Sequence, residues 1–208
     1  MKVLDRLSEK EKSELKAGVI EVTGKAMNRT ALGVVDALIQ LYPKATFEDL
    51  KKMLPDTINE SAPKNYKSLF KPHTKKSYGV IQPGSIKKEC QELGLDINAS
   101  HFTEPDEIFR SSDGLEVMVS KSWESSDTVT GENDLQNLIN HVTQYGVNVT
   151  KVEKKEAFNK GEYNLKIINP ALHKRLTNSE EKKKFPWWII FLILLAMVLL
   201  VFLLNKND

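Results

Sequence analysis

The sequence predicts an α+β fold: a helical N-terminal region, a β-hairpin–helix–strand module, and a single C-terminal transmembrane helix. Three observations carry that prediction. Apolar residues recur every three or four positions between Leu15 and Leu54, Asp113-Gly114 separates two short alternating runs, and Phe185 to Leu204 reads as 20 residues without a charge.

The first helix is expected over residues 8–27, where Ser8 and Glu11 have the spacing of a capping box and Leu15, Val19 and Val22 follow at helical intervals. A second begins after Thr30, carries Val34, Val35, Leu38, Ile39 and Tyr42 on one stripe, and stops at Pro43. A third starts from a Thr46 cap, runs from Phe47 to Leu54 with Asp49 near its positive end, and stops at Pro55. The short Pro43-Lys44-Ala45 link gives the last two the outline of a helix-turn-helix. Helix pairs with short links serve every kind of function, so DNA reading is not favoured.

Between Lys64 and Lys88 there are seven lysines and no acidic residue, interleaved with Tyr66, Phe70, His73 and Tyr78. Lys64, Lys67, Lys71, Lys75, Lys76, Tyr66 and Tyr78, with Trp123 further along, make up the candidate binding surface. Such lysines can pair with phosphates or anionic lipid headgroups while the rings stack on bases. The plainer reading is a solvated linker whose aromatics tuck into the core.

After Tyr78-Gly79-Val80-Ile81 as a short strand, Ser85 caps a helix from Ile86 to Leu93 that ends at Gly94. Glu107–Arg110 and Leu115–Val119 then flank Asp113-Gly114, a hairpin signal because that turn needs positive φ. A helix opening at Asn133 or Asp134 places Leu135, Leu138, Ile139 and Val142 on one face and closes at Gly146; Val147 to Val152 alternates as a strand. Tyr163 to Ile168 reads as an edge strand before Pro170, followed by a polar, basic stalk.

The overall charge of +2 conceals a division: residues 1–90 carry +6, residues 91–150 carry −9, and residues 151–184 carry +5. The acidic middle repels nucleic acid and anionic membrane alike, so any phosphate contact belongs to the flanks. The expected domains are a helical subdomain at 1–60, a basic segment at 61–90, an α+β module at 91–168, a juxtamembrane stalk at 169–184, the span at 185–204 and a tail at 205–208.

Asp113-Gly114-x-Glu116-Val117-x-Val119-Ser120-x-x-Trp123, then Leu135-x-x-x-Ile139-x-His141 and Gly146, resembles a small α+β module appended to bacterial restriction-type and uncharacterised proteins. Tyr42-Pro43-x-Ala45-Thr46-Phe47-x-x-Leu50 and Tyr78-Gly79-Val80-Ile81 fit the same pattern, so the resemblance covers about residues 35–152. It implies a bacterial interaction or recognition module and carries over no catalytic residues. The chain departs from it after Trp123, where Glu124 opens a polar insertion instead of the usual glycine.

Fifteen of the 20 residues from Phe185 to Leu204 are Leu, Ile, Phe or Val, each favouring insertion by roughly 0.3–0.6 kcal/mol near the bilayer centre. Pro186 suits a first helical turn, Trp187 and Trp188 suit headgroup depth, and Ile189 begins the unbroken apolar run to Leu204. Lys174, Arg175, Lys182, Lys183 and Lys184 precede the run and only Lys206 follows it, which predicts a cytoplasmic N-terminal domain. No apolar leader is visible between Met1 and Lys16, and the sequons at Asn28, Asn59, Asn98 and Asn148 are read as unused.

The lone Cys90 excludes an internal disulfide, and its acidic neighbour Glu89 raises rather than lowers thiol pKa. His73, His101, His141 and His173 are too scattered to pair as ligands. No phosphate-cradling glycine motif and no nucleophile elbow occur. The acidic triplet Glu104, Asp106 and Glu107 reads as turn surface, Trp123 as a core plug in preference to a ligand platform, and His141 as a structural histidine. No metal, no cofactor and no catalytic residue is expected. The function expected is a non-enzymatic, membrane-anchored module that tethers a protein partner; the alternative is an oligomerising effector that perturbs the bilayer.

Overall fold

Ser8 caps the first helix as its spacing requires: Ser8 Oγ accepts from the Glu11 amide at 3.3 Å and Glu11 Oε2 accepts from the Ser8 amide at 2.8 Å. The helix, α1 (Glu9–Ala17), is shorter than expected. Gly18 sits at φ 107°, a conformation that side-chain-bearing residues rarely adopt, and ends it. Ile20-Glu21-Val22-Thr23-Gly24 then alternates buried and half-buried positions as strand β1 (Ile20–Gly24). Helical spacing of Leu15, Val19 and Val22 had concealed that two-residue period.

The computed structural model describes residues 4–59, 79–92, 94, 96–121, 123, 134–151 and 162–178. The chain divides into two units, Met1–Thr177 and Asn178–Asp208; every element below belongs to the first. They are α2 (Met27–Leu41), α3 (Phe47–Met53), β2 (Ile81–Pro83), α4 (Ser85–Glu92), β3 (Phe109–Arg110), β4 (Glu116–Val119), α5 (Asp134–Val142), β5 (Val147–Lys151), β6 (Tyr163–Ile167) and α6 (Pro170–Thr177).

Two small sheets result. The first is mixed, in the order β5-β1-β6, with β1 parallel to β5 and antiparallel to β6. The second is antiparallel, in the order β2-β4-β3, and a bridge between His101 and Ser120 continues it. The β3–β4 turn differs in type from the expected two-residue form. Gly114 donates to Ser111 O at 2.9 Å and Ser111 donates to Leu115 O at 3.0 Å. Only Gly114 of the Asp113-Gly114 pair takes positive φ, the pattern of a three-residue loop.

α2 is the central helix. It starts a turn earlier than expected and buries Ala31, Leu32, Val34, Val35, Ala37, Leu38 and Leu41. Gly33 permits its close approach to the mixed sheet, because a Cβ there would stand 2.8 Å from both Tyr163 Cδ2 and Val22 Cγ1. One buried cluster joins the two sheets, taking in Val22, Leu38, Leu50, Ile81, Val117, Leu138 and Leu172. A smaller one gathers Ile86, Cys90, Ile97 and Met118 under α4.

The expected fold class is corrected on one point. Among the described residues no helix is long and apolar enough to cross a membrane. The longest, α2, has 15 residues, about 22 Å against the ~30 Å of hydrocarbon in a bilayer. Phe185, Pro186, Trp187, Trp188, Ile189 and Leu204, read as the span, and Lys182, Lys183 and Lys184, read as its topology charges, lie outside the described residues. The single-pass, membrane-anchored and cytoplasm-facing reading is therefore not supported by any described helix. The architecture is mixed α+β with two small sheets.

Candidate functional site

The outer edge of β6 combines exposed apolar side chains with backbone groups to which no described strand pairs. Lys25 donates to Glu162 O at 3.1 Å and Ile168 donates to Val19 O at 2.9 Å, bracketing the β1–β6 ladder. In an antiparallel pair, hydrogen-bonded and non-hydrogen-bonded residues alternate. Glu162, Asn164, Lys166 and Ile168 therefore face β1, and the N–H and C=O groups of Tyr163, Leu165 and Ile167 point outward. Among the described residues no strand pairs with that side.

The register pairs Tyr163, Leu165 and Ile167 with Gly24, Val22 and Ile20, on the face that α2 covers. Cover thins along the strand: Tyr163 is buried, Leu165 is half-buried, and Ile167 is 45% exposed. Ile168, beside it, is 38% exposed. The remaining exposed large apolar residue of the described chain, Leu115, sits apart at the hairpin turn. The opposite face of the sheet is polar, carrying Glu21, Thr23, Asn148, Thr150, Asn164 and Lys166.

Charges of both signs line this edge, with Glu21 opposite Lys166 in the β1–β6 register. Lys25 pairs with Glu162 at 3.2 Å, and Arg175 pairs with Glu11. Lys166 and Lys174 are exposed and have no carboxylate in salt-bridge range among the described residues. At the inner end, Tyr163 Oη donates to Asp36 Oδ2 at 2.7 Å, and burial together with that carboxylate pushes the phenol far above its usual pKa.

A second polar concentration, around His101, is built for packing. His101 Nδ1 stands 2.7 Å from Ser100 Oγ, which also donates to Ile97 O at 2.9 Å. Both residues are buried, and burial first, then Lys121 and Lys51, lowers the imidazole pKa to about 4. A nucleophile must meet its substrate, and this hydroxyl is sealed in the core. Nearby, the Arg29 guanidinium lies 4.7 Å over the Phe102 ring and pairs with Glu107, while Lys121 approaches the ring at 5.2 Å. Glu107 is thereby engaged by a cation, and among the described residues no three His, Cys, Asp or Glu side chains gather as metal ligands.

Of the residues singled out from sequence, Lys64, Tyr66, Lys67, Lys71, Lys75, Lys76 and Tyr78 lie outside the described residues. Trp123 is only 7% exposed and its Nε1 donates to Ser120 O at 2.9 Å, so the ring fills the core. His141 Nε2 lies 2.9 Å from Met53 O, which requires the proton on Nε2 and makes the ring a strut between α5 and α3. Lys174 and Arg175 lie on α6 in the folded unit. The β6 edge is legible in the sequence as a strand but not as a site; its signal is the alternation Tyr163, Leu165, Ile167 against Asn164 and Lys166.

No family model, no curated protein and no solved structure matches the chain.

Proposed function

We propose that the folded unit is a protein-recognition module that captures an extended segment of a protein partner along the outer edge of β6. The single observation that carries the reading is the coincidence of three outward backbone positions with the adjacent exposed Ile167 and Ile168. Backbone hydrogen bonds to an added strand supply affinity, and alternate side chains supply specificity. The segment that suits this edge has apolar residues at alternate positions, to cover Leu165 and Ile167, and polar residues between them, with a carboxylate within reach of Lys166.

Selection of short random peptides against the full chain tests the reading. The expected binders carry that alternation and slow the amide exchange of Tyr163, Leu165 and Ile167. Ile167→Pro removes an outward N–H without touching the β1 ladder, and is expected to weaken them by about tenfold or more. Binders that protect other residues, or that keep their affinity for the variant, overturn the proposal.

A further inference from the structure

We infer that the strand added to this edge is β6 of a second copy of the chain, paired antiparallel about a two-fold axis at Leu165. The inference rests on the reading of β6 as an open edge and names its occupant.

The outward groups belong to Tyr163, Leu165 and Ile167, so these must become the hydrogen-bonded residues of any added antiparallel ladder. Three two-fold registers satisfy that condition near the middle of the strand. An axis at Asn164 leaves Ile167 opposite a residue beyond the strand. An axis at Lys166 sets two ammonium groups directly opposite one another, which is destabilising. An axis at Leu165 uses all five residues of the strand. Leu165 then meets Leu165 of the second copy, Tyr163 meets Ile167, and Asn164 meets Lys166.

That register is self-complementary on the apolar face. On the α2 side it forms an apolar seam with two aromatic–β-branched pairs, and it covers the exposed Ile167. On the polar side Lys166 of one copy lies diagonal both to Glu162 and to Lys166 of the other, so the charges there roughly offset one another, and Lys25 already holds Glu162 from behind. The joined sheet would run β5-β1-β6-β6-β1-β5 with an α2 on each half. A seam of five residues is about 17 Å long, less than a permanent dimer requires. The association is therefore a reversible one.

Sedimentation of the full chain over a range of concentrations tests it, in mild detergent because residues 185–204 carry no charge. The expected result is a monomer–dimer equilibrium that Ile167→Lys and Ile167→Pro each weaken by about tenfold or more. Leu165→Cys is expected to cross-link on oxidation while Ile167→Cys does not, because only position 165 meets itself; the native Cys90 is buried. Should the proline variant unfold, the lysine variant, at an exposed position, carries the test. A chain that stays monomeric while a selected peptide still protects Tyr163, Leu165 and Ile167 overturns the second copy and leaves the edge reading standing. Association that survives Ile167→Lys without cross-linking at position 165 places the contact elsewhere and overturns the inference. Absence of both dimer and peptide overturns both readings.

Discussion

Tyr163 Oη donates a 2.7 Å hydrogen bond to Asp36 Oδ2, tying the edge strand to the central helix across 127 positions of sequence. The bond holds the inner end of β6 in the core while its outer end emerges into solvent. Tyr163→Phe removes the hydroxyl from a half-buried carboxylate, and the expected cost is about 1–2 kcal/mol in urea unfolding, with faster amide exchange along β6. An unchanged midpoint would show that the tie contributes nothing.

Gly33 faces the same strand from the helix side. Alanine is the better helix former by about 1 kcal/mol, yet its Cβ would stand 2.8 Å from Tyr163 and Val22. Neither neighbour is the loose end of a flexible chain, so α2 must lift from the sheet. Gly33→Ala is expected to destabilise by about 1–3 kcal/mol, and a stabilised variant in the same unfolding experiment would refute this packing.

The Arg29–Glu107 pair is largely withdrawn from water and crosses the Phe102 ring. Removing the cation alone strands a buried carboxylate. Arg29→Met is accordingly expected to cost about 3 kcal/mol, and adding Glu107→Gln should recover part of that loss. A double-mutant cycle without coupling would contradict the arrangement.

His101 predicts an acid-sensitive fold. Its pKa falls from the usual 6.5 to about 4 in the folded state. Between those values the unfolded chain binds a proton that the folded chain refuses. Stability is full above about pH 6.5 and declines as pH falls toward 4, by about 3 kcal/mol in all. Glu9, Glu11, Asp49 and Asp113, whose pKa values are also lowered, act in the same direction but only below about pH 4.5. Urea unfolding followed from neutral pH downward should show the slope, and His101→Gln should flatten its upper part. A variant with the unaltered slope would assign it to other groups.

Local chemistry made much of the fold readable. The Ser8 and Thr46 caps, the α2 stripe, the αL glycines at 94, 114 and 146, the α5 face and the β6 strand all follow from side chains acting on backbone within a few residues. β1 was hidden for the converse reason. Val19 and Val22 continue the helical spacing from Leu15, while the two-residue period rests on Ile20, Val22 and Gly24 alone, and the strand is stabilised by β5 and β6, more than a hundred residues away. Trp123 likewise has an amphipathic ring that suits a ligand or a core; only the position of Ser120 O decides for the core.

The sequence by itself determined most of the helical and extended segments, β1 apart, and where many of them end, because caps, prolines and glycines act locally. Tertiary structure alone decided that β1 lies at the centre of a sheet, that β6 pairs with β1 and not with β5, and that His101 and Glu107 are enclosed. Those outcomes depend on which distant surfaces exclude water together, a property that periodicity along one segment does not encode.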